Sequence, residues 1–492
     1  MPLTFAHSFA DAVPSLSVPW RAEQWPDPRI IVFNHELGQE LGIDEASLLS
    51  NITQQGHAQA YSGHQFGQFN PLLGDGRALV LGDCAQTNAP HGQFEISLKG
   101  SGPTPFARRG DGRATLGPML REYLISEALH GLGIPTTRSL AVITTGTDVQ
   151  RERLLPGAVV VRVAQNHLRV GSVQCAAMRD DDSLAALVRY ALSSHEDGVS
   201  DAEAAGLLLR RVSTSQAKLV AQWMRFGFVH GVMNTDNVTL SGQTIDFGPC
   251  AFIDSFHPQA VFSSIDSHGR YSFGRQPSIM GWNIARLAEA LLPLMSIDEA
   301  RNIVHEFPDM YRRSWLDEMA DAVGISPDDD HTAGVLDDLV ALLDVHRPDY
   351  AQFMRSLSDG TTVSLFPWAQ QWEAKVSSLR VAAPRNPVYV PRNYLVEDAL
   401  EHAMNADMSV FSLLVEAGKN PYLRERRFEK LENPAPETWQ DYVTYCGTWA
   451  LALGCIGGAQ QLLYFGIAEH GVIEKLLGLS VIKIYANDDN FV

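Results

Sequence analysis

The run His230-Gly231-Val232-Met233-Asn234-Thr235-Asp236-Asn237, with Asp246-Phe247-Gly248 following shortly after, decides how the rest of the chain is read. An amide and a carboxylate that close together supply hard oxygen ligands for Mg²⁺ against nucleotide phosphates. Val238-Thr239-Leu240 and Gln243-Thr244-Ile245 flank a Ser-Gly turn and predict a β-hairpin between the two ligands. In phosphoryl-transfer enzymes of this pattern the third residue is a catalytic Asp. Here it is Val232, and the nearest carboxylate is Asp236, beside Asn237. The ligands Asn237 and Asp246 are kept while the base is displaced, which points to nucleotide chemistry other than γ-phosphoryl transfer. The competing reading is structural: Ile-Asp-Phe-Gly as a strand end and turn, and Asp236 as a residue that orients Asn237.

Upstream, Gln93 to Lys99 reads as a strand, and Glu122 lies beyond it in a predicted helix, Leu116 to Leu132. A strand Lys paired with a helix Glu would set an ammonium against phosphate oxygens; apart, both would be solvated surface residues. Gly74-Asp75-Gly76-Arg77 precedes another predicted strand, and Asp111-Gly112-Arg113 follows Arg108-Arg109. Glycines let backbone N–H groups approach phosphates, and arginines add paired donors; each motif is equally a turn between strands. Arg162 follows three valines, and Arg169 comes soon after it. An inward-pointing Arg needs an anion, either a phosphate or a protein carboxylate.

The chain has 492 residues, 45% hydrophobic and 19% charged, a globular composition. Its formal charge of −19 disfavours nucleic acid as a partner, which requires a basic face. Five scattered cysteines without a C-x-x-C pair fit a reducing compartment, and the N-terminus lacks the layout of a signal peptide, so a cytoplasmic protein is expected. Trp449 to Ala468 is mostly apolar over about the length of a membrane span. Gln460-Gln461 at its middle and the lack of flanking basic residues favour a packed helix or an extension, and no membrane role is expected.

Residues 1–55 read as an N-terminal arm lying on the main domain. Residues 56–178 read as a β-rich N-lobe, with strands at Arg77 to Gly82, Gln93 to Lys99, Ser139 to Thr144 and Gly157 to Val163 around the single helix. Residues 179–448 read as a helical C-lobe, with helices at Leu184 to Leu192, Glu203 to Arg211, Thr214 to Phe226 and Trp282 to Met295. Residues 449–492 remain an extension of unassigned role. The order predicts an α+β, protein-kinase-like two-lobed fold.

Together these residues resemble the selenoprotein-O-like family of kinase-fold proteins. The matching runs are Tyr61-Ser62-Gly63-His64-Gln65-Phe66-Gly67 with Leu73 to Arg77, Leu98 to Pro105, Gly110 to Ala114, Gly133 to Arg138, Gly231 to Gly248, Gly269 to Phe273, and Gln276-Pro277 with Trp282-Asn283. The resemblance implies ATP bound end for end relative to kinases, and transfer of AMP to hydroxyl side chains of proteins with release of pyrophosphate. It implies that Lys99, Arg162 and Arg169 hold the γ-phosphate end and that Gly74, Gly76, Arg77, Asp111 and Gly112 line the nucleotide. Glu122 would pair with Lys99, Asp236 would be the base, and Asn237 with Asp246 would hold Mg²⁺ or Mn²⁺. UTP in place of ATP stays open, since no motif reads the base. Cys446-Gly447-Thr448 resembles the family's C-terminal end, but Val261-Phe262-Ser263-Ser264 lacks the second cysteine of its redox-controlled members, so no disulfide switch is expected.

Overall fold

The computed structural model describes residues 3–85, 93–192, 199–439 and 442–444. Cys446 and the 449–468 run lie outside them, and no helix among the described residues is long and apolar enough to cross a membrane.

The protein is α+β, built on a seven-stranded antiparallel sheet. In chain order the strands of this sheet are β1 (Ser17–Arg21), β2 (Arg29–Phe33), β3 (Gln55–Gln59), β6 (Ala78–Ala85), β7 (Gln93–Lys99), β8 (Arg138–Gln150) and β9 (Leu154–Ala164); a separate hairpin, β4 (Gly63–Gln65) and β5 (Gln68–Asn70), falls between β3 and β6. The spatial order is β1-β3-β6-β7-β9-β8-β2, so both edge strands come from the chain before Gln55. Pro19 lies in β1, where a missing N–H leaves no ladder bond unmade.

Alternation along the strands explains the two faces. Ile96 and Leu98 of β7 join Leu79, Leu81, Val161 and Val163 in one core, covered by Leu37, Leu41, Leu48 and Ile52. The opposite face carries Glu95, Ser97 and Lys99 and packs on the helix Leu116–Leu132. That helix is buried on nearly every side, because helices Asn393–Met404 and Ser409–Lys419 cover its back. Its Glu127 is buried and ties helix to sheet: it accepts from Arg138 Nε (2.9 Å) and Nη2 (2.7 Å), Ser139 N (3.0 Å) and Asn34 Nδ2 (2.7 Å).

Three expectations are corrected. Glu203 to Arg211 and Thr214 to Phe226 are one helix, Asp201–Phe226, capped by Ser200 and Glu203. Val212 and Ser213 looked like a gap, but both are buried, and the Ser213 hydroxyl donates to Leu209 O (2.8 Å) within the helix. Val238 to Leu240 and Gln243 to Ile245 do not pair with each other. Thr239 bridges to Arg169 and Thr244 to Thr136, and the turn between them is closed by the Thr239 hydroxyl, which accepts from Gln243 N (2.9 Å) and donates to Gln243 O (2.6 Å). Each short arm finds its backbone partner in a neighbouring segment, which fixes Asp246 against the sheet. The helix expected from Trp282 to Met295 runs from Gln276 to Leu291, with Pro277 in its first turn.

Glu127→Ala leaves Arg138 largely buried without its counter-charge, so it is expected to cost about 3 to 5 kcal/mol, read as a lower denaturation midpoint; Glu127→Gln, which keeps a hydrogen-bonding group, should lose less.

Candidate active site

Register places the charges. Ser97 of β7 pairs with Arg162 of β9, and Lys99, two positions on, shares that face. Glu122 projects from the helix packed on it. Lys99 Nζ lies 2.5 Å from Glu122 Oε1, and Arg162 Nη2 lies 2.9 Å from Glu122 Oε2 and 2.7 Å from Asp246 Oδ1. Lys99 also pairs with Asp246 Oδ1. Both cations therefore engage the same two carboxylates. Asp246 takes up this position with φ +66°, in the left-handed region. Phe247 N donates to Glu122 Oε1 (3.2 Å), closing the cluster. Burial works against ionising Asp246, but Lys99, Arg162 and Arg169 overcome it and hold the carboxyl well below its usual range. Glu122 is likewise lowered against burial, by Lys99 and Arg162.

Arg169 is buried, with its guanidinium 4.3 Å from the Tyr61 ring centroid and Nη1 3.5 Å from Asp75 Oδ1. Its Nε and Nη1 have no hydrogen-bond partner. Asp75 also accepts from Gln59 N (3.0 Å), which anchors the Gly74 to Arg77 loop. That loop, the one after Lys99 and the Asp111-Gly112-Arg113 turn stack on one another. Gly112, at φ +66°, has its Cα so close to the neighbouring backbone that a Cβ would lie 2.2 Å from Gly102 C and Pro103 N. Gly102 N donates to Gly112 O (3.0 Å), and a Cβ on Gly76 would lie 3.1 Å from Phe106 O. The Arg77 carbonyl accepts from Gly100 N (2.7 Å). Asp111 stays outside the charge cluster, bound to Arg151 Nη1 (2.7 Å) and half exposed. Arg113 forms a two-pronged pair with Glu23.

Asp236 and Asn237 sit in a single 3₁₀ turn, Thr235–Asn237. The β4–β5 hairpin wraps it: His64 N donates to Thr235 Oγ1 (2.7 Å), Phe66 N to Asn234 Oδ1 (3.0 Å), and Gln65 Nε2 to Asp236 Oδ2 (3.3 Å). Asp236 Oδ1 is buried without a hydrogen-bond partner, and burial pushes the carboxyl up to about 6. Asn237 Nδ2 donates to Val232 O (3.0 Å), which leaves Asn237 Oδ1, like Asp246 Oδ2, without a protein partner among the described residues. Two such hard oxygens suit a divalent cation that draws its remaining ligands from phosphate and water. His230 buttresses the segment, with Nε2–H donating to Ile245 O (2.9 Å). Cys250 is buried and its thiol is pushed up to about 12 by burial, which makes it unreactive.

The structure thus brings Lys99, Glu122, Arg162 and Asp246 into direct contact, sets Asp236 and Asn237 on the adjoining turn, and places Arg169 within the electrostatic reach of both Asp246 and Asp236. Sequence reasoning passed over Asp75 and Gln65. Asp75 stood between two flagged glycines, and its own signal was the bracket around it; Gln65 carries no pattern that marks it.

The chain matches the family model described as protein adenylyltransferase SelO over residues 2–376. It is 45% identical over 478 residues to the protein nucleotidyltransferase YdiU of Corynebacterium efficiens, covering 91% of this chain and 97% of that one. The Mycolicibacterium smegmatis protein of the same name is 46% identical over 479 residues (91% and 98%), and that of Geobacillus kaustophilus 45% over 459 (86% and 94%). The chain belongs to the SelO family, and it is an enzyme of the nucleotidyltransferase class.

Gly112→Ala forces the stacked loops apart, and a displacement on the order of 1 Å at such a site is expected to lower the transfer rate roughly 100-fold; the backbone clash and the left-handed φ should lower the thermal midpoint as well. A fully active variant would show that the stacking does not matter to catalysis.

Proposed function

We propose that the protein transfers AMP from ATP to Ser, Thr or Tyr hydroxyls of protein substrates, releasing pyrophosphate, on a kinase-like two-lobed fold, with Mg²⁺ or Mn²⁺ required. The observation that carries this reading is the unpaired carboxylate oxygen of Asp236 beside Asn237, with apolar Val232 where a kinase-type base would stand. UMP transfer from UTP belongs to the same chemistry and differs only in the base.

Asn237 Oδ1 and Asp246 Oδ2 would hold the metal, which when bound neutralises phosphate charge. The terminal phosphates sit against Lys99, Arg162 and Arg169; the unsatisfied nitrogens of Arg169 are the clearest donors to phosphate oxygens. Gly74, Gly76, Arg77, Asp111 and Gly112 line the rest of the nucleotide. Asp236 takes the proton from the acceptor hydroxyl. The acceptor oxygen forms a bond to the α-phosphorus as the bond to the bridging α–β oxygen breaks, and pyrophosphate leaves. A carboxyl raised by burial is a better proton acceptor than an exposed one. Glu122 keeps Lys99 and Arg162 in place. This reading accounts for the missing Asp at position 232: with ATP reversed, the reacting phosphorus lies where Asp236 reaches it.

Incubation with ATP labelled at the α-position and, separately, at the γ-position checks the reaction. α-Label should enter protein and γ-label should leave as pyrophosphate; γ-label entering protein instead would make the enzyme a kinase. Asp246→Ala and Asp236→Asn should each reduce labelling by at least about 1,000-fold, on the scale of lost groups acting in the transition state, and a chelator should abolish it reversibly.

A further inference from the structure

Arg270 has no carboxylate partner among the described residues, although it is partly buried. Its guanidinium carbon lies 4.8 Å from the Trp282 ring centroid and 5.6 Å from that of Tyr271, and Nε and Nη2 are buried without hydrogen-bond partners. Gly67, at φ +83°, also lies against it, where a Cβ would stand 3.7 Å from the guanidinium carbon. The guanidinium therefore meets both the hairpin tip and an indole. The mount is rigid. Asp266 accepts from Arg270 N (2.9 Å) and Tyr271 N (2.8 Å), the Tyr271 hydroxyl donates to Asn234 Oδ1 (2.6 Å), and Phe66 at the tip holds a left-handed φ of +52° while its ring meets Tyr271 edge-on at 5.2 Å.

The same hairpin that offers Gln65 to Asp236 thus offers Gly67 to Arg270. The three cations assigned to phosphate come from β7, β9 and the turn after β9, and each is matched by Glu122, Asp246 or Asp75. Arg270 comes from a different segment, beyond Asp246, and is unmatched. A stacked guanidinium with unused donors is suited to a carboxylate arriving from outside.

We infer that Arg270 is a specificity residue on the acceptor side, which binds an acidic side chain next to the target hydroxyl and so makes acidic peptide segments the preferred substrates. This rests on the proposed transfer to protein hydroxyls. The test uses the full chain with ATP and pairs of serine peptides that differ only in carrying Glu or Gln at positions flanking the serine. The wild type should show a KM for a Glu peptide about tenfold below that for its Gln partner, the size of one charge-assisted hydrogen bond. Arg270→Gln should remove the difference by raising the KM of the Glu peptide alone, Arg270→Lys should restore part of it, and the KM for ATP should hold. Equal KM values in the wild type, a preference that survives Arg270→Gln, or no modification of any acidic peptide overturns the inference. A loss that falls on the KM for ATP also overturns it, placing Arg270 at the nucleotide. If γ-label rather than α-label enters the peptides while the preference still follows Arg270, the AMP-transfer reading fails and the acidic recognition stands.

Discussion

One oxygen atom organises this protein. Asp246 Oδ1 is shared by Lys99 from β7 and Arg162 from β9, and those cations share Glu122 from the helix packed on both strands. Charges taken out of water are costly unless each is paired and hydrogen-bonded. Here every member has its partner fixed by an element that cannot shift alone: two strands in register, a helix buried on nearly all sides, and a turn whose arms are pinned to separate segments. A non-glycine residue in the left-handed region costs on the order of 1 kcal/mol. The cluster is what keeps Asp246 there.

Electrostatic balance follows from the same arrangement. Three cations stand against three carboxylates, so the pocket without ligand is close to neutral although the chain carries −19 overall. A polyanion entering it meets positively charged groups already oriented by protein carboxylates, with little reorganisation to come. Asp236 lies just outside that balance, desolvated, with one oxygen satisfied by Gln65 and the other by nothing. Neutral pocket and unsatisfied carboxylate are held in register by the β4–β5 hairpin and by the turn it wraps.

Much of this was legible in the sequence because it depends on short-range pattern. β7 and the helix Leu116–Leu132 have the bounds that alternation and helical spacing predict. Their packing brings Lys99 and Glu122, which are separate in the chain, into contact. What escaped depends on partners distant in sequence. The arms around Ser241-Gly242 carry strand-forming residues, but Leu168 to Val170 and Pro135 to Thr137 compete for their backbone groups and win. The break imagined at Val212-Ser213 rested on local propensity, which burial overrides. Asp111 and Gly112, adjacent in the chain, have different neighbours in space: Gly112 underlies the loop stacking, while the Asp111 carboxylate pairs with Arg151.

The sheet's two rims are both made by the time the chain reaches Phe33, and its middle is completed only at Ala164. Arg29 of β2 pairs with Thr144 of β8, far along the chain. During synthesis β2 therefore emerges long before β8, its only neighbour in the sheet, and waits with unpaired backbone and apolar side chains. Non-local pairing of this kind makes folding slow and leaves intermediates open to association. The sheet stays open on that side until β9, the last of its strands to be made, enters between β7 and β8.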